Sequence, residues 1–298
     1  MFWENIKEAV TSISSNKMRS LLTMLGIIIG ISSVIIITTI GGSIQSTLTA
    51  TMNSLGGNMV QAYVEARYPE NDEDWATWEQ PEMTDSDYVT QDMIDGLIEK
   101  YPDEVTGVAA QNYLGSGTIK DDADSKNYAN VNIDGITPEY LEYMKLEMHA
   151  GRNLTKADNQ GKKRVCLIAD TMAERYFAGK DPIGETLSVA TSDGGIFDFV
   201  VVGVYVYNQA LFGKVDTSIP EKDRVTELMI PLQTCFKLQG TDRTGYDYFN
   251  LMIDPLADVN QATTDVLSYF DEMYANNKNF HVSAYNMASD LGMINTVL

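Results

Sequence analysis

The sequence is poor in the residues that catalysis and metal binding usually need. It holds two histidines and two cysteines in 298 residues. His149 and His281 stand alone, with no second ligand three or four positions away, which excludes a helical zinc site. No G-x-x-x-x-G-K-[ST] loop is present, which removes a phosphate cradle, and Gly115-Ser116-Gly117 lacks the lysine and the following helix. No G-x-S-x-G elbow is present either. Asp72-Glu73-Asp74 and Asp121-Asp122-Ala123-Asp124 are acidic enough to touch calcium but lack the glycine and distal glutamate of a calcium loop. The expectation is therefore no catalytic residue, no cofactor and no metal. Cys166 and Cys235 sit in the apolar segments R-V-C-L-I and T-C-F-K-L and read as buried thiols, with one disulfide left open.

Positive charge is also scarce, with 21 Lys and Arg against 42 Asp and Glu. Residues 1–20 hold three bases and two acids, so the remainder carries 18 bases against 40 acids, a net of −22. A surface that acidic argues against nucleic acid or anionic lipid as a partner.

What the sequence does have is a charge-free run, Leu21–Ile40, of 20 residues that are apolar apart from Ser, Thr and Gly. At about 1.5 Å per residue it spans the roughly 30 Å hydrocarbon core of a bilayer. Lys7, Lys17 and Arg19 precede it and acids dominate after Glu65, which places the N-terminus in the cytoplasm and the main domain outside the cell membrane. A cleaved signal peptide would have an apolar core of about 7–15 residues and a small-x-small site. This run is longer, and Leu48-Thr49-Ala50 has Leu where a small residue belongs. Gly26 and Gly30 form a G-x-x-x-G that suits close packing of another membrane helix.

Around this anchor the spacing predicts a series of elements. Trp3, Ile6, Val10 and Ile13 mark an amphipathic interfacial helix over Phe2–Ser15. Ile44, Leu48 and Leu55 extend the membrane helix as a stalk, which Gly56-Gly57-Asn58 ends. Met59–Ala66 alternates as a strand, Thr90–Tyr101 reads as a helix ended by Pro102, and Val105–Lys120 as one or two strands broken at Gly115–Gly117. Val131–Ile136 is a strand. Thr137-Pro138-Glu139 starts a helix that carries Leu141, Met144 and Met148 inward and stops at Gly151. Arg164–Ile168, Thr186–Ala190, Phe197–Tyr207 and Glu227–Pro231 are strands, with a short helix at Thr171–Ala178 and a turn at Asp181-Pro182-Ile183-Gly184. Tyr248–Ile253, a helix capped by Asp258 and Phe280–Ala284 repeat the opening β-α-β pattern. Met287, Leu291, Ile294 and Leu298 keep helical spacing to the last residue, as if a second stalk or membrane helix begins there.

The expected fold class is α+β. One transmembrane helix with a stalk leads to a split β-α-β domain, 58–120 plus 242–285, with a β-rich domain inserted at 121–241. Residues 1–20 are cytoplasmic, 21–57 the membrane helix and stalk, and 286–298 the start of a truncated second one. Residues Glu65–Glu104 hold 14 acids against Arg67 and Lys100. There Asp72, Glu73, Asp74, Trp75 and Trp78 are candidates for attracting a cationic amphipathic cargo.

Several short motifs give the chain a resemblance. Met18–Ile31, read M-R-S-L-L-T-M-L-G-I-I-I-G-I, is similar to the entry of the first membrane helix in MacB-type ABC transporter permeases. Asp134-Gly135-Ile136-Thr137-Pro138-Glu139-Tyr140, Gly151-Arg152, Asp181-Pro182-Ile183-Gly184, Val201-Val202-Gly203-Val204 and Ile230-Pro231-Leu232 follow in family order. The resemblance implies four membrane helices and, between the first two, a large outer domain with a split porter-like part and an inserted β-rich part. It implies a permease dimer, two ATPases inside, and motion carried outward by the stalks to a substrate or an adaptor (membrane-fusion) protein. The resemblance also implies cationic cargo such as antimicrobial peptides. In MacB the ATPase precedes the first membrane helix on one chain; only about 20 residues do so here, so a separate ATPase chain is expected. The leading function is thus a non-enzymatic permease part of an ABC export or mechanotransmission system. The alternatives are a single-pass anchored receptor or adhesion domain without transport, and an anchored hydrolase, which the missing motifs disfavour.

Overall fold

A computed structural model describes residues 2–15, 17–54, 59–69, 75, 78–121, 126–212, 218–241 and 243–286. Several expectations lie outside them: the stop at Gly56-Gly57-Asn58, the acids Asp72, Glu73, Asp74, Asp122 and Asp124, and the C-terminal helix from Met287. The side chains of Val10, Ile13, Ile44, Leu48 and Leu55 are likewise outside the description.

The N-terminal unit is helical. Helix α1 runs Phe2–Ser15 and α2 runs Lys17–Ser54. The stretch Lys17–Ser43 of α2 is long and apolar enough to cross a bilayer, and none of its most apolar window is buried. Ile27, Ile28, Ile29, Val34, Ile35, Ile36 and Ile37 are all more than half exposed. A helix apolar on every side is stable only where lipid or other helices cover it. Its Ser and Thr hydroxyls turn back to carbonyls one turn earlier, as Ser33 Oγ does to Ile29 O at 2.6 Å, so they do not oppose a lipid setting.

The second unit holds two sheets. The first contains β1 (Met59–Ala66), β2 (Val105–Ala109), β10 (Tyr248–Ile253) and β11 (Phe280–Asn286), in the spatial order β11-β1-β10-β2, with all pairs antiparallel. Helices α3 (Gln91–Lys100) and α9 (Val259–Met273) cover one face. The period-2 alternation explains which face: Val60 and Ala62 bury with Phe249, Leu251 and Val282, whereas Gln61 and Tyr63 turn away. Both helices start at side-chain caps, the one at Asp258 as expected and the one at Thr90 shown by the structure. Thr90 Oγ1 accepts from Met93 N at 3.3 Å, and Asp258 Oδ1 accepts from Asn260 N at 2.9 Å. They cross closely, since a Cβ on Gly96 would stand 2.6 Å from Tyr269 Oη.

The remaining strands form the second sheet: β3 (Gln111–Lys120), β4 (Tyr128–Ile136), β5 (Met148–Gly151), β6 (Val165–Ala169), β7 (Thr186–Thr191), β8 (Ile196–Tyr205) and β9 (Val225–Pro231). Its order is β5-β8-β6-β9-β4-β3-β7, and β7 also pairs with β8. The pairings therefore close into a ring of six strands, with β5 added on β8, and the ring leaves β7 no open edge. Ile119, Ile133, Leu167, Val189, Phe199 and Leu228 lie in its core. Short helices decorate it: α4 (Tyr140–Tyr143), α5 (Lys156–Gln160), α6 (Asp170–Phe177), α7 (Gln209–Phe212) and α8 (Leu232–Leu238). Helix α8 is shared, giving Cys235 to this core and Leu232 and Phe236 to that of the four-stranded sheet.

Three local expectations are corrected. The strands over Val105–Lys120 break at Ala110, and Gly115–Gly117 stays inside β3, where the register shifts between Tyr113 and Gly115. Residues 111–120 pair within the seven-stranded sheet, so the chain changes sheets at Ala110 and not near residue 121. The expected helix from Thr137 to Gly151 is one turn. Thr137 Oγ1 accepts from Ala110 N and donates to Val108 O, both at 3.1 Å, so it ties two strands together and caps nothing. Lys145 then takes φ of 50°, and Met148 lies on β5 against β8.

Candidate functional site

Two places carry the candidate residues. On α2, Gly26 and Gly30 stand one turn apart, and a Cβ built on either would meet nothing within 4 Å. They form an uncovered shallow stripe that leaves room for a helix backbone.

The second place is the segment after β1. Trp75 and Trp78 meet there, and the structure adds Tyr68, which sequence reasoning missed. The rings stand 5.5 Å apart for Tyr68–Trp75, 5.2 Å for Tyr68–Trp78 and 5.6 Å for Trp75–Trp78. Trp78 packs on the core of the four-stranded sheet, while Tyr68 and Trp75 are about half exposed. Tyr68 is separated from the tryptophans by the acidic run, so only its presence in the same loop could have signalled it. Two half-exposed rings backed by a third are suited to a cation or an amphipathic chain.

Not every acid nearby is free to attract cargo. Asp87 is buried; burial alone would raise its pKa, but hydrogen bonds from Thr84 and Asn277 outweigh that and lower it. Glu104 is shifted upward by burial and by Asp265 beside it. Both bases of the stretch are occupied: Arg67 Nε donates to Asn277 O at 3.0 Å, and Lys100 Nζ meets Glu272 at 3.2 Å.

The motifs that carry the resemblance are architectural. Gly135 lies against α8, where a Cβ would come 2.3 Å from Cys235 Cβ. Gly203 is as tightly held, since its Cβ would meet Arg152 O at 2.3 Å. Arg152 Nη1 donates to Asp158 Oδ2 at 2.7 Å, and Lys163 Nζ to Asp158 Oδ1 at 3.0 Å. Asp158 also closes a capping box with Thr155 at the start of α5. Burial by itself would raise the Asp158 pKa, but bonds from Arg152, Thr155 and Lys163 hold it well below the usual carboxylate range. Cys166 and Cys235 are free, buried thiols, both pushed up by burial. His281 contacts Ser283 Oγ at 3.2 Å, and among the described residues no group of three His, Cys, Asp or Glu could hold a metal.

Comparison with known proteins matches this architecture. The MacB-like periplasmic core domain model matches residues 20–269. The uncharacterized ABC transporter permease YknZ of Bacillus subtilis is 31% identical over 186 residues, 62% of this chain and 43% of that protein. The macrolide export ATP-binding/permease protein MacB of Neisseria gonorrhoeae is 25% identical over 221 residues, 72% of this chain and 30% of that one. The chain thus spans less than half the length of these relatives. The crystal structure of the periplasmic region of MacB from Actinobacillus actinomycetemcomitans superposes with a TM-score of 0.52 at 17% identity, over 82% of this chain and 95% of that one, which shows a shared fold. With the family model covering residues 20–269, the chain belongs to the MacB-like periplasmic core domain family.

Proposed function

We propose that this chain is the first membrane helix and the extracytoplasmic domain of an ABC export permease. The observation that carries the reading is the family match running from within a bare apolar helix into a folded acidic domain. In this reading α2 spans the cell membrane with the N-terminus in the cytoplasm. The four-stranded sheet with α3 and α9 is a split porter-like part, and the ring of strands between β2 and β10 is its insertion. The permease works as a dimer, Gly26 and Gly30 contact a neighbouring membrane helix, and a separate ATPase chain supplies the energy. The outer domain engages cargo or an adaptor protein. Tyr68, Trp75 and Trp78, with Asp72, Glu73 and Asp74, draw in cationic amphipathic peptides. The chain itself performs no catalysis.

Protease protection in intact cells tests the placement. With a tag at the N-terminus, protease added outside should remove the acidic domain and spare the tag until the membrane is opened. A tag digested from outside, or a domain protected in intact cells, would refute it.

A further inference from the structure

A second polar site lies where the two sheets of the outer region meet. A cleft of about 280 Å³ is walled on one side by α3, with Gln91, Asp92 and Asp95, and by Tyr246 and Thr244. On the other side stand Glu139, before α4, and Lys156 and Asn159 of α5, with Gln233 of α8 also lining it. Of the residues named, only Glu139 belongs to a motif that carries the resemblance, and none plays a part in the proposed cargo attraction.

The walls are held in place by their own hydrogen bonds. Tyr246 Oη donates to Gln91 Oε1 at 2.5 Å, and Gln91 Nε2 to Asp95 Oδ1 at 2.9 Å. Gln233 N donates to Asn159 Oδ1 at 2.9 Å, and Gln233 Nε2 to Thr244 O at 2.8 Å. The last bond fixes the amide so that Oε1 is the free end. Gln233 is only 9% exposed, yet its Oε1 has no hydrogen-bond partner. A buried acceptor left unmade costs about 1–3 kcal/mol, so it marks a place where a donor belongs.

Charge selects the donor. Asp92, Asp95 and Glu139 bring three carboxylates, and the single lining base, Lys156, stands 3.8 Å from Glu139 with its side chain 69% exposed. An anion is therefore excluded. A bare metal ion is unsuited too, because among the described residues no three such ligands converge. An organic cation carries both a positive charge for these carboxylates and N–H donors for Gln233 Oε1.

From this juxtaposition we infer that the cleft binds an alkylammonium or guanidinium group, with Asp95 and Glu139 balancing its charge and Gln233 Oε1 accepting one N–H. The group comes either from a small free amine or from a lysine or arginine side chain of a peptide.

The test is calorimetric titration of the full chain in detergent micelles, with n-butylammonium as one probe and acetyl-Gly-Lys-Gly-amide as the other. Saturable binding of either, absent for n-butanol, is expected, and the stronger probe identifies the source. Asp95→Asn with Glu139→Gln should weaken it about tenfold, and Gln233→Met about fivefold. Glu99→Gln, outside the cleft, should leave it unchanged. If Gln233→Met fails to fold, the carboxylate pair alone decides, since Asp95 is exposed and Glu139 half-buried. No saturable binding of either probe at 10 mM, or binding that ignores the carboxylate substitutions, would overturn the proposal.

Discussion

Replacing Asp158 with Ala should cost about 3 kcal/mol of stability in the outer domain. The carboxylate is 1% exposed and receives Arg152 Nη1, Lys163 Nζ, and the backbone and hydroxyl of Thr155. Losing the capping box removes about 1 kcal/mol. Each cation bond contributes about 1 kcal/mol, not the 3–5 of a fully buried pair, because Arg152 and Lys163 are 49% and 53% exposed and keep their water. At about 2–4 °C per kcal/mol for a unit of this size, Tm should fall by about 6–12 °C. Asp158→Asn keeps the shape and one acceptor and should lose about half as much. The pH dependence has a definite sign. The folded pKa is depressed, so the unfolded chain takes up the proton first. The stabilisation is complete above the ordinary value of 3.8 and is lost as pH falls from there toward the folded value. Scanning calorimetry at pH 7 and pH 3 should therefore show the gap between native chain and Asp158→Ala narrowing by about 1 kcal/mol per pH unit below 3.8. A Tm drop under about 2 °C at pH 7, or a gap that stays constant down to pH 3, would refute the reasoning.

Four further outcomes are expected. Gly203→Ala should unfold the ring of strands or lower Tm by about 4–10 °C in a thermal melt, because the new Cβ would press on Arg152 O, a backbone atom that cannot swing aside. Gly30→Leu should leave the melt of the outer domain unchanged, since open space surrounds that position, while abolishing the dimer of the full permease in size-exclusion with light scattering. A cationic amphipathic peptide should bind with micromolar or weaker affinity. Anisotropy titrations should show that binding falling with 1 M salt, with Trp75→Ala, and with neutralisation of Asp72, Glu73 and Asp74 together. Replacing 111–241 with a short linker removes Leu232 and Phe236 of α8 from the core of the four-stranded sheet, so the remainder should lose its cooperative melt by circular dichroism, and a cooperative melt would show that core complete without α8.

The local elements were legible where the signal was local. The apolar run, the alternation of Val60 and Ala62, and the cap Asp258 each depend on residues within one turn or strand of one another. Signals failed where a distant partner decided the outcome. Thr137-Pro138-Glu139 has the composition of a helix start, but Val108 and Ala110 take the Thr137 hydroxyl, and β8 draws Met148 into a strand. The change of sheet at Ala110 has no punctuation, since Val108-Ala109-Ala110-Gln111 carries no glycine, proline or other turn residue. The closure of the ring through β7 and β8 is a long-range pairing that alternation cannot specify. Of the candidate sites, the Trp pair and the glycine stripe were visible as motifs. The cleft was not, since Gln91, Glu139 and Gln233 meet only through the packing of two sheets.

We propose that this domain serves a transporter powered by a separate ATPase. The direct measurement is purification of the whole native permease in mild detergent, followed by mass spectrometry and ATPase assay. The expected result is two permease chains with two copies of an ABC ATPase, vanadate-sensitive hydrolysis by that complex, and no saturable ATP binding by this chain, whose sequence holds no phosphate loop. A permease that purifies without any ATPase partner, or micromolar ATP binding by this chain alone, would contradict this reading and return the chain to the class of single-pass anchored receptors or enzymes.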